Sequence, residues 1–362
     1  MAQLHISLTH LTHNYQQIRR QLQPETQLIG VVKANGYGSE STAIASHLEA
    51  LGVERLAVAY ASEGVALRKA GIRIPIIVFY PQREGLDAII GGNLEPALYS
   101  QGIFNAFHAL AQSHGHKDYP VHIKYNTGLN RIGFSVAEKE WVVNALKKSA
   151  LAVQSIYSHL AASEDPRPST ICDRQIDLFE DIKSFHEKQA THSIDYHLLN
   201  SSGVFNYPEY HYDAVRCGIA LYGFANRSEW DAQLRPIATL TTAITQIHSV
   251  CKGETVGYNS GWVAPHTSRI ATLPLGHADG ITRQYGKEKG WVTVNGLQAP
   301  IVGHVCMDMI MVDVSKIDCK EGDVVEVFGS TTPANMIAES VSTISYELLT
   351  AIGPRIQRVV HT

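Results

Sequence analysis

Short β-branched or apolar runs alternate with helix-period segments through the first two thirds of the chain, the grammar of repeated βα units on a parallel sheet. Eight runs read as strands: QLIGVVKA, ERLAVAY, IPIIVFY, EPALYS, PVHIKYN, LAVQSIYS, SIDYHLL and YDAVRC. Eight is the strand count of a TIM-type barrel. The segments between them carry helix signals of their own. Ser135 and Glu138 stand at capping-box spacing ahead of Trp141, Val142 and Leu146. Thr170 precedes a run with Ile171, Phe179, Ile182 and Phe185, and Gly52 and Gly71 fall where helices should stop.

After about Gly223 the pattern changes. ATLTTAITQIHSV, SRIATLPL, WVTVNG, APIVGHVCMDMIMVDVS and DVVEVFG are strand-like runs separated by turn residues, with little helix until the end. The polar stretch ANRSEWDAQLRP reads as the linker between domains. The expected architecture is α/β: an N-terminal (β/α)8 TIM-type barrel over residues 9–234, followed by a mostly β C-terminal domain over residues 235–362. Residues 1–8 are expected to form an N-terminal strand packing on the C-terminal domain.

Composition narrows the class. With 362 residues, 44% hydrophobic, the chain can bury two ordinary cores, and a net charge of −4 offers no basic footprint for nucleic acid. No run approaches the roughly 20 apolar residues of a membrane span, and MAQLHISLTHLTHNY lacks the cationic and apolar regions of a signal peptide. The five cysteines are scattered without a C-x-x-C pair, which fits a reducing compartment. A cytoplasmic protein with neither nucleic-acid nor membrane partners is expected.

In a barrel of βα units the active site lies at the C-terminal strand ends. Lys33 closes the run LIGVV and is followed by ANGYG, a loop that lets a ligand approach closely. Desolvation at such a position depresses the pKa of a lysine and favours the neutral amine that condenses with an aldehyde. The position suits pyridoxal phosphate and an aldolase equally, and it is also that of a lysine paired with a carboxylate. Barrels often hold a phosphate on the loops after strands 7 and 8. Asn200-Ser201-Ser202-Gly203 follows the seventh run and Cys217-Gly218-Ile219 the eighth, although each reads equally as an ordinary cap or turn. Arg216 closes the eighth run and His159 the sixth, so both side chains should face one mouth, and Asn126 through Arg131 adds a second arginine. A buried arginine without an acidic partner in its own segment points to an anionic ligand or a cofactor atom, or else to a structural ion pair. His108, His114 and His116 match no closed zinc spacing, so no metal is expected. Cys306, in an alternating run, and Cys217 read as buried inert thiols.

Taken in order, VVKANGYG, TGLNRIG, IYSHLAASED, HLLNSSG, AVRCGIALYG, VGYNSGW, LPLGHADG and VGHVCMDM resemble the motifs of the alanine racemase family along nearly the whole chain. The resemblance implies pyridoxal 5'-phosphate as cofactor, an amino acid as substrate and interconversion of L- and D-alanine, supplying D-alanine for peptidoglycan. It makes Lys33 the cofactor-bearing lysine and one of two acid/base groups, with Tyr258 the other on the opposite face of the substrate Cα. A phenol needs cationic neighbours to act as a base near neutrality, and the resemblance makes His159 and Arg216 those neighbours. Arg216 would also face the pyridine nitrogen and, unable to protonate it, weaken the electron sink and suppress transamination. Tyr37, Ser201, Gly218 and Ile219 would bind the phosphate, with Asn200 beside them. Arg131 would reach the cofactor phenolate and the substrate carboxylate, and Met307 would offer that carboxylate its backbone amide. Lys124 matches a position that is carbamylated in many relatives. Tyr258 and Met307 would complete the site of the other subunit, implying a homodimer with shared active sites.

The chain departs from that pattern in places. Asn126 stands where an acidic residue is usual and Asn130 where glycine is, while His277, Trp262 and His304 alter the substrate entrance. Pro354 replaces a phosphate-binding tyrosine, which removes one phosphate hydrogen bond. Three other readings share parts of the evidence. A racemase of serine or another amino acid would keep the same machinery. A non-catalytic pyridoxal-phosphate carrier would need no β domain, and a related decarboxylase usually presents an acid where Arg216 stands.

Overall fold

The structure, a computed structural model, describes residues 2–165, 170–225 and 227–362, so Asn226 of the linker lies outside the described residues. The chain forms two compact units. One comprises Thr12–Gly36 and Ser41–Leu234, the other Met1–Leu11, Tyr37–Glu40 and Arg235–Thr362.

The chain opens on β1 (Gln3–Ser7), a strand of the second unit, and then lays down the barrel. Its strands are β2 (Gln27–Val31), β3 (Arg55–Val58), β4 (Ile76–Val78), β5 (Glu95–Leu98), β6 (Tyr119–Lys124), β7 (Leu151–Tyr157), β8 (Asp195–His197) and β9 (Ala214–Cys217). Each falls inside one of the eight apolar runs except β6, which begins one residue before PVHIKYN. All ladders are parallel, in the order β8-β7-β6-β5-β4-β3-β2-β9. Between the first and last strands of that order, Asp213 N–H donates to the Tyr196 carbonyl and Arg216 N–H to that of Leu199, each at 3.1 Å. The strands are apolar without alternation because a parallel strand is covered on both faces; Leu56, Ala57 and Val58 of β3 and all three residues of β4 are wholly buried.

The helices bury one stripe each. In Gln101–Ser113 the stripe is Ile103, Phe104, Phe107 and Ala111, and the Ser100 hydroxyl caps it by accepting from Ile103 N–H at 3.3 Å. Helix Lys139–Lys147 follows a turn that Glu138 secures by accepting from Ser135 N–H at 2.9 Å. Helix Thr170–Glu187 seats Cys172, Ile176, Phe179 and Ile182.

The β unit adds β10 (Ala238–Ala243), β11 (Gln246–Val250), β12 (Thr255–Val256), β13 (Trp262–Val263), β14 (Ser268–Leu273), β15 (Trp291–Val294), β16 (Leu297–Val302), β17 (Ile310–Asp313), β18 (Val324–Phe328) and β19 (Gln357–His361). Nine strands form one sheet, ordered β11-β14-β17-β16-β15-β18-β10-β1-β19, and β12 pairs with β13. β1 lies between an antiparallel β10 and a parallel β19, with Leu4 and Ile6 buried and Gln3, His5 and Ser7 partly exposed. Two short helices, Ala334–Glu339 and Ser345–Thr350, precede the last strand.

Two strand expectations are corrected. ATLTTAITQIHSV is two strands, β10 and β11, separated by Ile244 and Thr245. APIVGHVCMDMIMVDVS is two strands, β16 and β17, because Gly303 (φ 66°) turns the chain away from the ladder. Cys306 therefore lies in a half-buried loop, its thiol 3.6 Å from the His304 carbonyl, instead of inside a strand. Among the described residues no helix is long and apolar enough to cross a membrane.

Candidate active site

Lys33 follows β2 by two residues and enters a left-handed turn: Ala34 (φ 53°, ψ 51°), Asn35 (53°, 47°) and Gly36 (60°, 50°). Left-handed backbone costs about 1–2 kcal/mol for each residue bearing a Cβ, so other contacts must hold this turn. Glu63 does so by accepting from Ala34 N–H at 2.6 Å with one carboxylate oxygen and from Ala59 and Tyr60 N–H at 2.7 and 3.1 Å with the other. Asn35 Oδ1 accepts from Ser41 N–H at 3.1 Å. Lys33 is half-buried, and burial, then the positive charge of Arg131, lower its pKa against the opposing pull of Glu63. The amine is thereby biased toward its nucleophilic neutral form.

Arg216, on β9, is 4% exposed, and its bonds among the described residues run to carbonyls and imidazoles, none to a carboxylate. It donates to the carbonyls of Ser158 and Leu198 at 2.8 Å and of His197 at 3.2 Å, to His197 Nδ1 at 2.6 Å and to His159 Nδ1 at 3.1 Å. Burial lowers its pKa to about 10, which leaves the guanidinium charged at neutrality.

The bond to His197 begins a chain through the barrel core. His197 Nε2 lies 2.8 Å from Ser155 Oγ, which lies 2.6 Å from His122 Nδ1, and His122 Nε2 lies 2.9 Å from a Glu95 carboxylate oxygen. Arg216 can only donate, so His197 Nδ1 accepts and its Nε2–H donates to Ser155, while at the far end His122 Nε2–H donates to Glu95. Burial and then Arg216 hold the His197 pKa well below the ordinary imidazole value, so that ring is a single neutral tautomer, and a buried cation is connected to a carboxylate on β5 through three side chains.

The same reasoning corrects the expectation for His159. Burial and the adjacent Arg216 hold its pKa well below the ordinary imidazole value, so the ring is neutral. Its Nδ1 accepts from Arg216, so Nε2 carries the proton. Of this pair Arg216 alone carries charge.

Lys124 ends β6 at 6% exposure with its Nζ 4.9 Å from the centre of the Tyr157 ring. Burial, then Arg216, Arg131 and Lys33, lower its pKa to about 7. Arg131 is exposed on the loop after β6. Asn126 pins that loop by accepting from Gly128 and Asn130 N–H at 3.1 and 2.9 Å. The barrel mouth thus gathers Lys33, Lys124, Arg131 and Arg216, and Tyr157, wholly buried beside two of them, has a hydroxyl without a partner among the described residues. Such an excess of positive charge fits anionic ligands.

On the loops after β8 and β9, Ser201 Oγ accepts from Gly218 and Ala220 N–H at 3.0 and 3.2 Å. The amides of Ser201 and Ile219 have no acceptor among the described residues. Asn200 Oδ1 is engaged, accepting from Gly203 N–H and Ser163 Oγ at 2.9 Å. Two free amides beside a hydroxyl, a depressed lysine and a buried arginine suit a phosphorylated aldehyde.

Tyr37, Tyr258 and Met307 belong to the β unit. Tyr37 is 7% exposed with its ring 6.0 Å from that of Tyr346. Tyr258 opens the turn Tyr258–Ser260 after β12 and is 71% exposed, and Met307, between β16 and β17, is 59% exposed. Of the departing positions, His277 and Pro354 are exposed, Trp262 is buried, and His304 Nδ1 lies 3.3 Å from an Arg283 Nη.

Sequence reasoning missed Glu63, Glu95, His122, Ser155 and His197. Strand-end position, the signal that found Lys33 and Arg216, applies to His197 as well, whereas the other four lie elsewhere and act on residues far away in the chain.

The chain matches the family models of the alanine racemase N-terminal domain over residues 6–226 and C-terminal domain over residues 237–360. It is 35% identical to alanine racemase 1 of Clostridium acetobutylicum, covering 98% of this chain and 94% of that one. Its structure resembles an alanine racemase of Clostridium difficile 630, with a TM-score of 0.93 at 30% identity over 99% and 95% of the two chains. It also resembles an alanine racemase from Bartonella henselae described with covalently bound pyridoxal phosphate, with a TM-score of 0.89 at 28% identity over 99% of both chains.

Proposed function

The chain belongs to the alanine racemase family, and from that premise we propose that it interconverts L- and D-alanine with pyridoxal 5'-phosphate held covalently on Lys33. The observation that carries the reading is the pairing of a depressed Lys33 amine with a buried Arg216 that no carboxylate neutralises. When bound, the cofactor supplies the electron sink that acidifies the substrate Cα–H.

The chain's own residues do the rest. The free amide of Ile219, with Gly218, Ser201, Asn200 and Tyr37, would hold the phosphate. Arg216 would face the pyridine nitrogen as a donor that keeps its proton, which would moderate the sink and disfavour transamination. Arg131 and the Met307 amide hold the substrate carboxylate. Lys33 Nζ and the phenol oxygen of Tyr258 lie on opposite faces of Cα, one removing the proton and the other returning it, so that configuration inverts. His159 orients that phenol and transmits the field of Arg216. Lys124, neutral above about pH 7, adds CO2 to become a carbamate that orients Arg131.

The working enzyme is a homodimer in which Tyr258 and Met307 complete the partner's site, in keeping with their exposure. It acts in the cytoplasm and supplies D-alanine for peptidoglycan. The functional division is residues 9–234 for the cofactor-binding barrel and 235–362 for the domain giving Tyr258 and Met307, with 1–8 packed on the latter.

Tyr258→Phe tests the two-base reading. In deuterated water it should stop Cα exchange from one enantiomer while leaving it from the other; unchanged exchange from both refutes the role. Mixing Lys33→Ala with Tyr258→Phe protomers should restore activity, because a hybrid dimer with shared sites has one intact site.

A further inference from the structure

Three segments far apart in the chain interlock in the β unit: Gly276-His277-Ala278-Asp279-Gly280, the loop between β16 and β17, and the approach to β19. His277 N–H donates to the Cys306 carbonyl at 2.9 Å and Ala278 N–H to that of Met307 at 3.1 Å. The approach is so close at Gly276 that a Cβ would lie 2.3 Å from the Cys306 oxygen and 2.5 Å from that of Met307. Within the loop, Cys306 N–H donates to the Met309 carbonyl at 3.0 Å. The loop's carbonyls are thus engaged, while the Met307 amide has no acceptor among the described residues.

One side chain ties the three segments together. Arg355 donates to the two carboxylate oxygens of Asp279 at 2.5 and 2.9 Å, to Asp308 at 2.8 Å and, at the limit of bonding distance, to the Met307 carbonyl at 3.5 Å. Asp279 is 3% exposed and also accepts from Gly276 N–H at 2.8 Å, and its carbonyl accepts from Gly353 N–H at 3.1 Å. A buried carboxylate bonded to both sides of a fork is a rigid anchor. Asp308 adjoins Met307, so the same guanidinium braces the turn that presents the Met307 amide, whose own peptide is held by His277 N–H donating to the Cys306 carbonyl.

We propose that Arg355 is a positioning residue for substrate recognition: through Asp279 and Asp308 it aims the Met307 amide at the substrate carboxylate. The proposal rests on the reading above that this amide receives that carboxylate. An arginine fork is needed because lysine cannot hold two carboxylates and a carbonyl in one plane.

The test compares a substrate with its carboxylate and one without. In holoenzyme, Arg355→Ala and Arg355→Lys should raise KM for L-alanine about tenfold, the size of one hydrogen bond to a charged group. Deuterium exchange at Cα of L-alaninamide should change less than about twofold, and the cofactor absorbance should be unaltered. Asp308→Asn, at an exposed position, should shift alanine alone in the same direction and reads the effect if the arginine variants fail to fold. Equal losses on both substrates, or an unchanged KM for alanine, overturn the proposal. A wild-type enzyme that handles alanine and alaninamide alike overturns the reading of Met307 and the proposal with it, whereas selectivity that survives in Arg355→Ala overturns only the role of Arg355.

Discussion

Ser155→Ala is a sensitive test of the chain that joins Arg216 to Glu95. The hydroxyl is 1% exposed and is the only bridge between His122 Nδ1, at 2.6 Å, and His197 Nε2, at 2.8 Å, among the described residues. Removing it strands one acceptor and one donor in the barrel core. Each unsatisfied buried group costs about 1–3 kcal/mol, so a loss of about 2–5 kcal/mol is expected, nearer the lower end if a water occupies the vacated position. For a unit of this size that is a fall in melting temperature of roughly 5–20 °C, read by calorimetry of the holoenzyme. The catalytic consequence is separate. His197 would no longer be held against Arg216, and kcat should fall about tenfold, the equivalent of about 1.4 kcal/mol. A loss below about 0.5 kcal/mol would refute the bridging role of the Ser155 hydroxyl. A large loss of stability with unchanged kcat would show that the chain supports the barrel without acting on Arg216.

Two further outcomes follow from the titration of buried groups. Burial lowers His186, 2% exposed and bonded to the Tyr125 hydroxyl at 2.8 Å, to about 4. Between the ordinary imidazole value of about 6.5 and about 4 the unfolded chain binds a proton that the folded one does not, so about 3 kcal/mol of stability is lost as pH falls through that window. Urea midpoints across it should slope accordingly, and His186→Gln should flatten the slope; an identical slope in the variant removes His186 as the cause. Lys124, at about 7, makes the same kind of contribution in a higher window: below about pH 7 the folded state carries the full penalty of a buried cation, and that penalty is relieved as pH rises from about 7 toward the ordinary lysine value of about 10.5. With 13C-bicarbonate at pH 8, a carbamate resonance should appear that Lys124→Ala lacks, and the variant should lose about tenfold in kcat/KM; a spectrum without that resonance refutes carbamylation.

The sequence by itself determined what local patterning determines. Eight apolar runs such as IPIIVFY became eight parallel strands because a strand covered on both faces must be apolar throughout, and that requirement is visible residue by residue. Strand-end position likewise singled out Lys33, His159 and Arg216, because a barrel presents its chemistry where strands end. The run APIVGHVCMDMIMVDVS could not be divided in advance, since the turn at Gly303 is fixed by its close approach to Val256 and Gly286 and by Lys287 N–H donating to its carbonyl at 2.8 Å, all outside the run. The tertiary structure alone decided the charge states. Whether His159 is a cation depends on Arg216, 57 residues away, and whether Lys124 is neutral near pH 7 depends on desolvation and on three other cations. Those electrostatic terms depend on distances through space and on exclusion of water, and neither is encoded in any one stretch of sequence.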